Sequence, residues 1–247
     1  MQDQYVGDIG DFAKYGLLRA LSGVPGEVGQ KRLGVAWWYV KGGRARSSSS
    51  GDGRLTGYLN APERWRDLDD ELFDALKWLV CRGCRSVEGI EASRILGSAT
   101  FHREPVPADV GEREAWFEGV IHWLNDCDPD LVFADPDNGL YPDDGFTGAI
   151  AANRKRISPR EFRKLAEGRT AIVYHHFHRR CSHDEQLREW MNELPECQYV
   201  YRWRTWVPRA FIVITKDKVT KDRLEAFAER WKALGSLVRR VDFQSEA

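Results

Sequence analysis

Apolar positions along this chain recur at two alternating periods. In residues 11–21, Phe12, Leu17, Leu18 and Leu21 fall on one side of a helix. Residues 33–40, rich in Val and Trp and without polar alternation, predict a strand buried on both faces. Leu68, Leu72, Leu76 and Leu79, at three- and four-residue spacings, predict an amphipathic helix over 67–80. Helices over 87–96 and 113–124 follow, with a short strand over 100–103 between them and an apolar strand over 130–134 behind. Ser158-Pro159-Arg160-Glu161 offers a serine cap, a proline in the first turn and then an acid, which starts a helix running to residue 166. A strand over 170–174 and a helix over 184–194 come next. Strands 198–203 and 210–215 are joined by a short loop around Pro208, and a helix over 221–234 and a strand over 237–243 close the pattern.

Strands alternating with helices predict a mostly parallel sheet covered on both faces, a Rossmann-like α/β arrangement. The pair 198–203 and 210–215 is joined too closely for a crossover and is expected to form a C-terminal antiparallel hairpin. One α/β domain spanning 1–247 accounts for the whole pattern. Ligands of such sheets bind outside the carboxyl ends of the strands, which directs attention to the residues that follow 130–134 and 170–174.

Composition narrows the class. The 247 residues are 42% hydrophobic and 30% charged, enough apolar material for a core. Lys and Arg number 37 against 38 Asp and Glu, a net of −1, which excludes a globally basic nucleic-acid wrapper. The longest apolar run, near 35–40, is far short of the roughly 20 residues of a membrane span. Met1-Gln2-Asp3-Gln4 lacks the basic and apolar regions of a secretory signal. Five cysteines, an odd number, argue against a disulfide scaffold, so a cytoplasmic protein is expected, with its oligomeric state left open. No repeat is visible, and serines 47–50 followed by Gly51-Asp52-Gly53 predict a flexible loop.

Charge is nevertheless segregated. Residues 31–66 hold eight basic and two acidic residues, 100–148 two basic and twelve acidic, and 149–209 thirteen basic and seven acidic. Either these are solvated faces that cancel in space, or they build an acidic pocket with basic walls suited to a phosphate-bearing partner.

The strongest local signal is Asp135-Pro136-Asp137-Asn138-Gly139, directly after the apolar strand. Pro136 ends the strand, Gly139 permits the turn, and two carboxylates at a sheet's mouth repel each other unless something positive arrives. An ordinary Asp-rich loop capping a strand is the plainer alternative. The second signal is His175-His176-Phe177-His178-Arg179-Arg180 at the next carboxyl end: if the strand continues, alternation puts His176 and His178 on one side, where they could ligate a metal or act as acid and base, and His175 on the other, with a surface loop as the plainer alternative. Cys81-Arg82-Gly83-Cys84 is a lone C-x-x-C with no partner pair, and Asp52-Gly53-Arg54 reads as a simple turn. Trp203 and Trp206, interleaved with Arg202 and Arg204, either stack on bases or pack a hairpin.

The third signal is amino-terminal. Gly7-Asp8-x-x-Asp11-x-x-Lys14-Tyr15 resembles the Gly-Asn-x-x-Asp-x-x-Lys-His opening of the RlmJ-type bacterial large-subunit ribosomal RNA adenine-N6 methyltransferases. Thr56-Gly57-Tyr58-Leu59 is similar to a second segment of that family, and Asp135-Pro136 stands where the family has Asp-Pro-Pro-Tyr. The resemblance spans most of the chain in topology and about a tenth of it in residues. It implies a class-I methyltransferase fold, S-adenosylmethionine as cofactor held by Tyr5, Gly7, Asp8 and Lys14, and a target amine held by Asp135. Pro136 and Asn138 would then shape the base pocket, with Asp137 beside them. The chain departs from the family pattern in four places. Asp137 and Asn138 replace the second proline and the aromatic, Asp8 replaces the asparagine, and Lys41-Gly42-Gly43-Arg44 stands where a glycine-rich cofactor turn belongs. No clear acid ends a second strand.

Three functions therefore compete. The first is an S-adenosylmethionine-dependent methyltransferase acting on a nucleic acid or nucleotide-like substrate, its phosphates met by the basic 149–209 segment. A metal-dependent nuclease or hydrolase is the second, with Asp8, Asp135 and Asp137 on Mg2+ or Mn2+ and His175 or His176 activating water. The third is a non-catalytic binding module.

Overall fold

The computed structural model describes residues 1–23, 26–41 and 55–243. The serine-rich stretch 47–53, Gly42-Gly43-Arg44 and the Asp52-Gly53-Arg54 turn lie outside them. In chain order the helices are α1 (Ile9–Ser22), α2 (Pro62–Trp65), α3 (Asp70–Cys81), α4 (Val87–Ser93), α5 (Val110–Cys127), α6 (Pro159–Leu165), α7 (His183–Glu193) and α8 (Lys218–Arg230). The strands are β1 (Leu33–Ala36), β2 (Thr100–His102), β3 (Leu131–Ala134), β4 (Gly139–Leu140), β5 (Arg156–Ile157), β6 (Thr170–His176), β7 (Tyr199–Trp203), β8 (Arg209–Ile214) and β9 (Gly235–Arg239).

Seven strands form one sheet in the order β2-β1-β3-β6-β8-β7-β9, while β4 and β5 make a small parallel pair above it. The β2, β1, β3 and β6 strands run parallel, and β6–β8, β8–β7 and β7–β9 are antiparallel. This is the expected mostly parallel α/β sheet with its C-terminal hairpin. The hairpin is folded so that its second strand, not its first, pairs with β6. From β1 the chain moves outward to β2 and then returns to β3 on the other side, so the order reverses between β1 and β3. Such a reversal opens a crevice at the strands' carboxyl ends.

Side chains alternate across the sheet into two cores. Leu33, Val35, Leu131, Phe133, Ile172, Phe211 and Val213 pack with α1, α3 and α8 on one face. Ala36, Val132, Ala134, Ala171, Val173 and Ile212 pack with α5, α6 and α7 on the other. The first core is strongly aromatic: Phe12 of α1 lies 5.1–6.3 Å, ring centroid to centroid, from Tyr58, Trp65, Phe73 and Trp231.

Two boundaries differ from the sequence expectation in a way that matters for the site. The strand expected over 33–40 stops at Ala36, because Trp38 turns into the left-handed region (φ 47) although both tryptophans stay buried. The strand expected to end at 174 continues to His176, paired through His176 with Arg209 of β8. The helix expected over 11–21 begins earlier, at Ile9, where the Asp8 side chain accepts hydrogen bonds from the Gly10 and Asp11 amides. Among the described residues no helix is long and apolar enough to cross a membrane.

Candidate functional site

The amino-terminal motif and the Asp-Pro-Asp-Asn loop, more than a hundred residues apart, meet at one cleft of about 520 Å3 above the carboxyl ends of β3 and β6. The volume is that of a small-molecule site. Tyr5, Asp8 and Lys14 come from the start of the chain, Asp135, Asp137 and Asn138 from the loop after β3, and Tyr174, His176 and Arg209 from β6 and β8.

Lys14 holds the two halves together. It projects from α1, and its Nζ donates to Asp135 Oδ2 at 2.7 Å and to Asp11 Oδ1 at 2.8 Å. All three side chains are buried. Burial alone would lower the lysine's pKa, but the Asp11 and Asp135 carboxylates outweigh it and raise the ammonium above its ordinary range. Burial pushes the Asp135 carboxyl up, opposed by Lys14 and the Met1 ammonium, and pushes Asp11 up as well, opposed by Lys14. Asp11 Oδ2 also accepts the Gly7 amide at 2.9 Å, so the motif's second aspartate stitches its own loop to the lysine.

The other two carboxylates are also met by cations. The Met1 ammonium lies 3.2 Å from Asp137 Oδ1, and Lys155 Nζ lies 3.3 Å from Oδ2. Burial would raise Asp137, but these two cations overcome it and hold the carboxyl below its usual range. The same ammonium donates to the Trp37, Trp38 and Asp135 carbonyls at 3.0, 3.1 and 2.8 Å, which places it in the crevice between β1 and β3. Asp8, while capping α1, pairs with Arg209 at 3.5 Å, and Arg209 Nε donates to the Tyr174 hydroxyl at 2.5 Å. Tyr174 is pushed up to about 12 by burial, against the pull of Arg209. Four carboxylates and four cations thus balance around one cleft, the arrangement expected if the aspartates were to sit side by side without mutual repulsion.

The histidines divide. His176 is exposed and lines the cleft. His175 is buried on the opposite side of β6, beneath the loop, where its Nδ1 accepts the Leu140 amide at 3.2 Å. With Nδ1 an acceptor, the proton sits on Nε2, which has no hydrogen-bond partner among the described residues, and the imidazole packs edge-on with Phe177 and Trp190, ring centroids 5.9 and 5.7 Å apart. Burial, followed by the charges of His176 and His178, pulls His175 down to about 3. It is a neutral prop for the loop rather than a group facing the cleft. Gly139 makes the contact possible: its φ is +82, and a Cβ there would lie 2.5 Å from His175 Cα. Pro136 and Gly7 shape the backbone without lining the cleft.

Several participants escaped the sequence reading. Arg209 and Tyr174 sit in strands whose composition marks them only as core, and Lys155 is one of a basic run with no local sign of its target. Trp203 is fully buried, and Arg202 is ion-paired to Asp184, so of that interleaved group only Arg204 and Trp206 remain exposed. Cys81 and Cys84 are free, exposed thiols at the end of α3, outside the cleft. Among the described residues no group of three or more His, Cys, Asp or Glu is placed to hold a metal ion. No protein-family model matches the chain, and no curated protein matches it.

Proposed function

We propose that this cleft is the active site of an S-adenosylmethionine-dependent methyltransferase whose target is an amine on a nucleic acid or nucleotide-like substrate. The observation that carries the reading is the 2.7 Å contact between Lys14 and Asp135, which joins the motif the resemblance assigns to the cofactor to the carboxylate it assigns to the target. The sheet supports it through its parallel half, its C-terminal antiparallel hairpin and the reversal between β1 and β3. A metal-dependent hydrolase has less support, because a divalent ion would have to displace Lys14, Arg209 or Lys155 from carboxylates they already neutralise.

The donor set fits the amino-acid end of the cofactor. Asp8 and Asp137 could accept from its ammonium while Arg209 and Lys155 donated to its carboxylate, a zwitterion that exchanges with their present ion pairs without a net change of charge; all four line the cleft. For the ribose, the described residues offer no carboxylate in the cleft from the end of β2, where His102 is buried. When bound, the cofactor supplies a methyl group already activated by a sulfonium, so no strong general base is required. Asp135 accepts a hydrogen bond from the target amine and aims its lone pair, and Lys14 fixes the carboxylate's position and keeps it ionised. Asn138, exposed at the rim, contacts the edge of the entering base.

Calorimetry with S-adenosylmethionine tests the reading, together with methyl transfer to single-stranded RNA, DNA and free nucleotides. Wild type binds the cofactor, and Asp135→Asn retains binding within a few-fold while losing at least about 100-fold in turnover, the loss of one positioned polar contact. Absence of cofactor binding by wild type would refute it.

A further inference from the structure

A group of side chains at the rim is unused by this chemistry. Trp206, in the turn between β7 and β8, is 48% exposed and holds φ +62, a left-handed conformation that is strained for a bulky residue. Strain of that kind persists where the surroundings over-determine it, and it clusters at ligand-contacting positions. Here the surroundings are visible: Trp203 below is buried and donates its Nε1–H to the Thr205 carbonyl at 2.8 Å, and the edge of Trp65 meets the Trp206 ring at 6.3 Å and 80°. The turn is thus braced from below and from the side while about half of the indole stays exposed.

Beside this ring lies a second cavity of about 490 Å3, lined by His176, Phe177, His178, Arg179, Trp206 and Val207 among others. It shares His176 and Val207 with the proposed active-site cleft, so the two cavities adjoin. Arg179 lines this cavity, Arg180 follows it in the chain and Arg204 lies two residues before Trp206; all three are exposed, and none is ion-paired to a described residue. Arg202 one strand position away is different, being tied to Asp184.

We infer that Trp206 is a stacking platform for a nucleobase of a single-stranded nucleic acid, with Arg179, Arg180 and Arg204 carrying the adjoining phosphates into the cleft. An exposed aromatic ring near guanidiniums with no ion-pair partner among the described residues is what single strands require, since every base has a π-face and the backbone charge is met by cations. A duplex keeps its bases stacked on one another and cannot use the platform. The inference names the substrate class for the proposed methyl-transfer site and rests on that reading only for what enters the cleft. Binding of the strand needs no cofactor.

The test is fluorescence anisotropy of labelled RNA and DNA strands of about twelve nucleotides, and of the matching duplexes, with cofactor-free protein. Wild type is expected to hold at least one of the single strands at about 50 mM salt and to prefer it to its duplex. The RNA and DNA arms show which of the two it takes. Trp206→Ala is expected to weaken binding about 5- to 100-fold, with Trp206→Phe recovering most of the loss. The double variant Arg179→Ala/Arg180→Ala is expected to lower the slope of log affinity against log salt by about 1.4, two single-strand phosphate contacts. These side chains are exposed, and unchanged thermal unfolding confirms that the variants stay folded. Failure of wild type to bind either strand, equal binding of duplex, or undiminished binding by Trp206→Ala would overturn the inference. Calorimetry with S-adenosylmethionine on the same preparation separates the two claims. Strand binding without cofactor binding keeps the platform and removes the methyltransferase, and cofactor binding without strand binding does the reverse.

Discussion

Replacing His175 with asparagine should flatten the acid side of the protein's stability profile. The imidazole is buried and pulled down to about 3 from an ordinary value of 6.5, chiefly by burial. Above pH 6.5 the ring is neutral in both folded and unfolded chains, and its contribution to stability is complete. Below that, the unfolded chain takes up a proton that the folded protein refuses, so stability falls with pH until about 3. Each pH unit is worth about 1.4 kcal/mol, so about 2 kcal/mol is lost by pH 5 through this one residue. Asparagine keeps an acceptor near the position of Nδ1 for the Leu140 amide, but it cannot titrate. At pH 7.5 the variant should be less stable by about 1–2 kcal/mol, for the ring contacts with Phe177 and Trp190 that it loses. That deficit should shrink to nothing or reverse by pH 5. Urea unfolding followed by far-UV circular dichroism at half-unit steps between pH 7.5 and 5 gives both curves. Parallel curves, with a constant gap, would refute the assignment of His175 as a neutral buried prop.

Other consequences follow from the same geometry. Lys14→Met strands Asp11 and Asp135 without their cation and should cost about 3–5 kcal/mol in urea unfolding, with Asp135→Asn in the same chain restoring part of it. A double variant no more stable than Lys14→Met would argue against the ion pair as the source of the loss. Gly139→Ala forces a Cβ to within 2.5 Å of His175 Cα at a positive φ, and should lower the melting temperature by more than an exposed Gly→Ala change at Gly168, where nothing lies within reach. Ser158→Ala removes the capping box that Ser158 and Glu161 form at α6, worth about 1 kcal/mol, and a change within experimental error would show that the Arg113–Glu161 pair alone holds that helix start.

How much of this protein can be read from its sequence depends on whether the signal is local. Alternation of apolar runs with helical periods determined the layer order of the sheet, because burial on two faces leaves its mark within each strand. The Ser158 cap, the stop imposed by Pro136 and the antiparallel hairpin are likewise settled by neighbouring residues. The amino-terminal motif could be matched to the Asp135 loop only through a resemblance, and the tertiary structure is what brings Lys14 within 2.7 Å of Asp135. Contacts across that span depend on which strands become neighbours, and nothing in either segment states it. The same holds for the charge assignments. Asp8, Asp135 and Asp137 suggest repulsion or a metal when read in the sequence, yet each meets a cation from a distant segment, Arg209, Lys14 and Lys155 respectively. The histidines show the limit most directly: a two-residue period predicts that His175 and His176 face opposite ways, but only packing decides that one side is a cleft and the other a core. A side chain's chemistry is set by what surrounds it, and in this cleft the decisive pairs, Lys14 with Asp135 and Asp8 with Arg209, join residues more than a hundred positions apart.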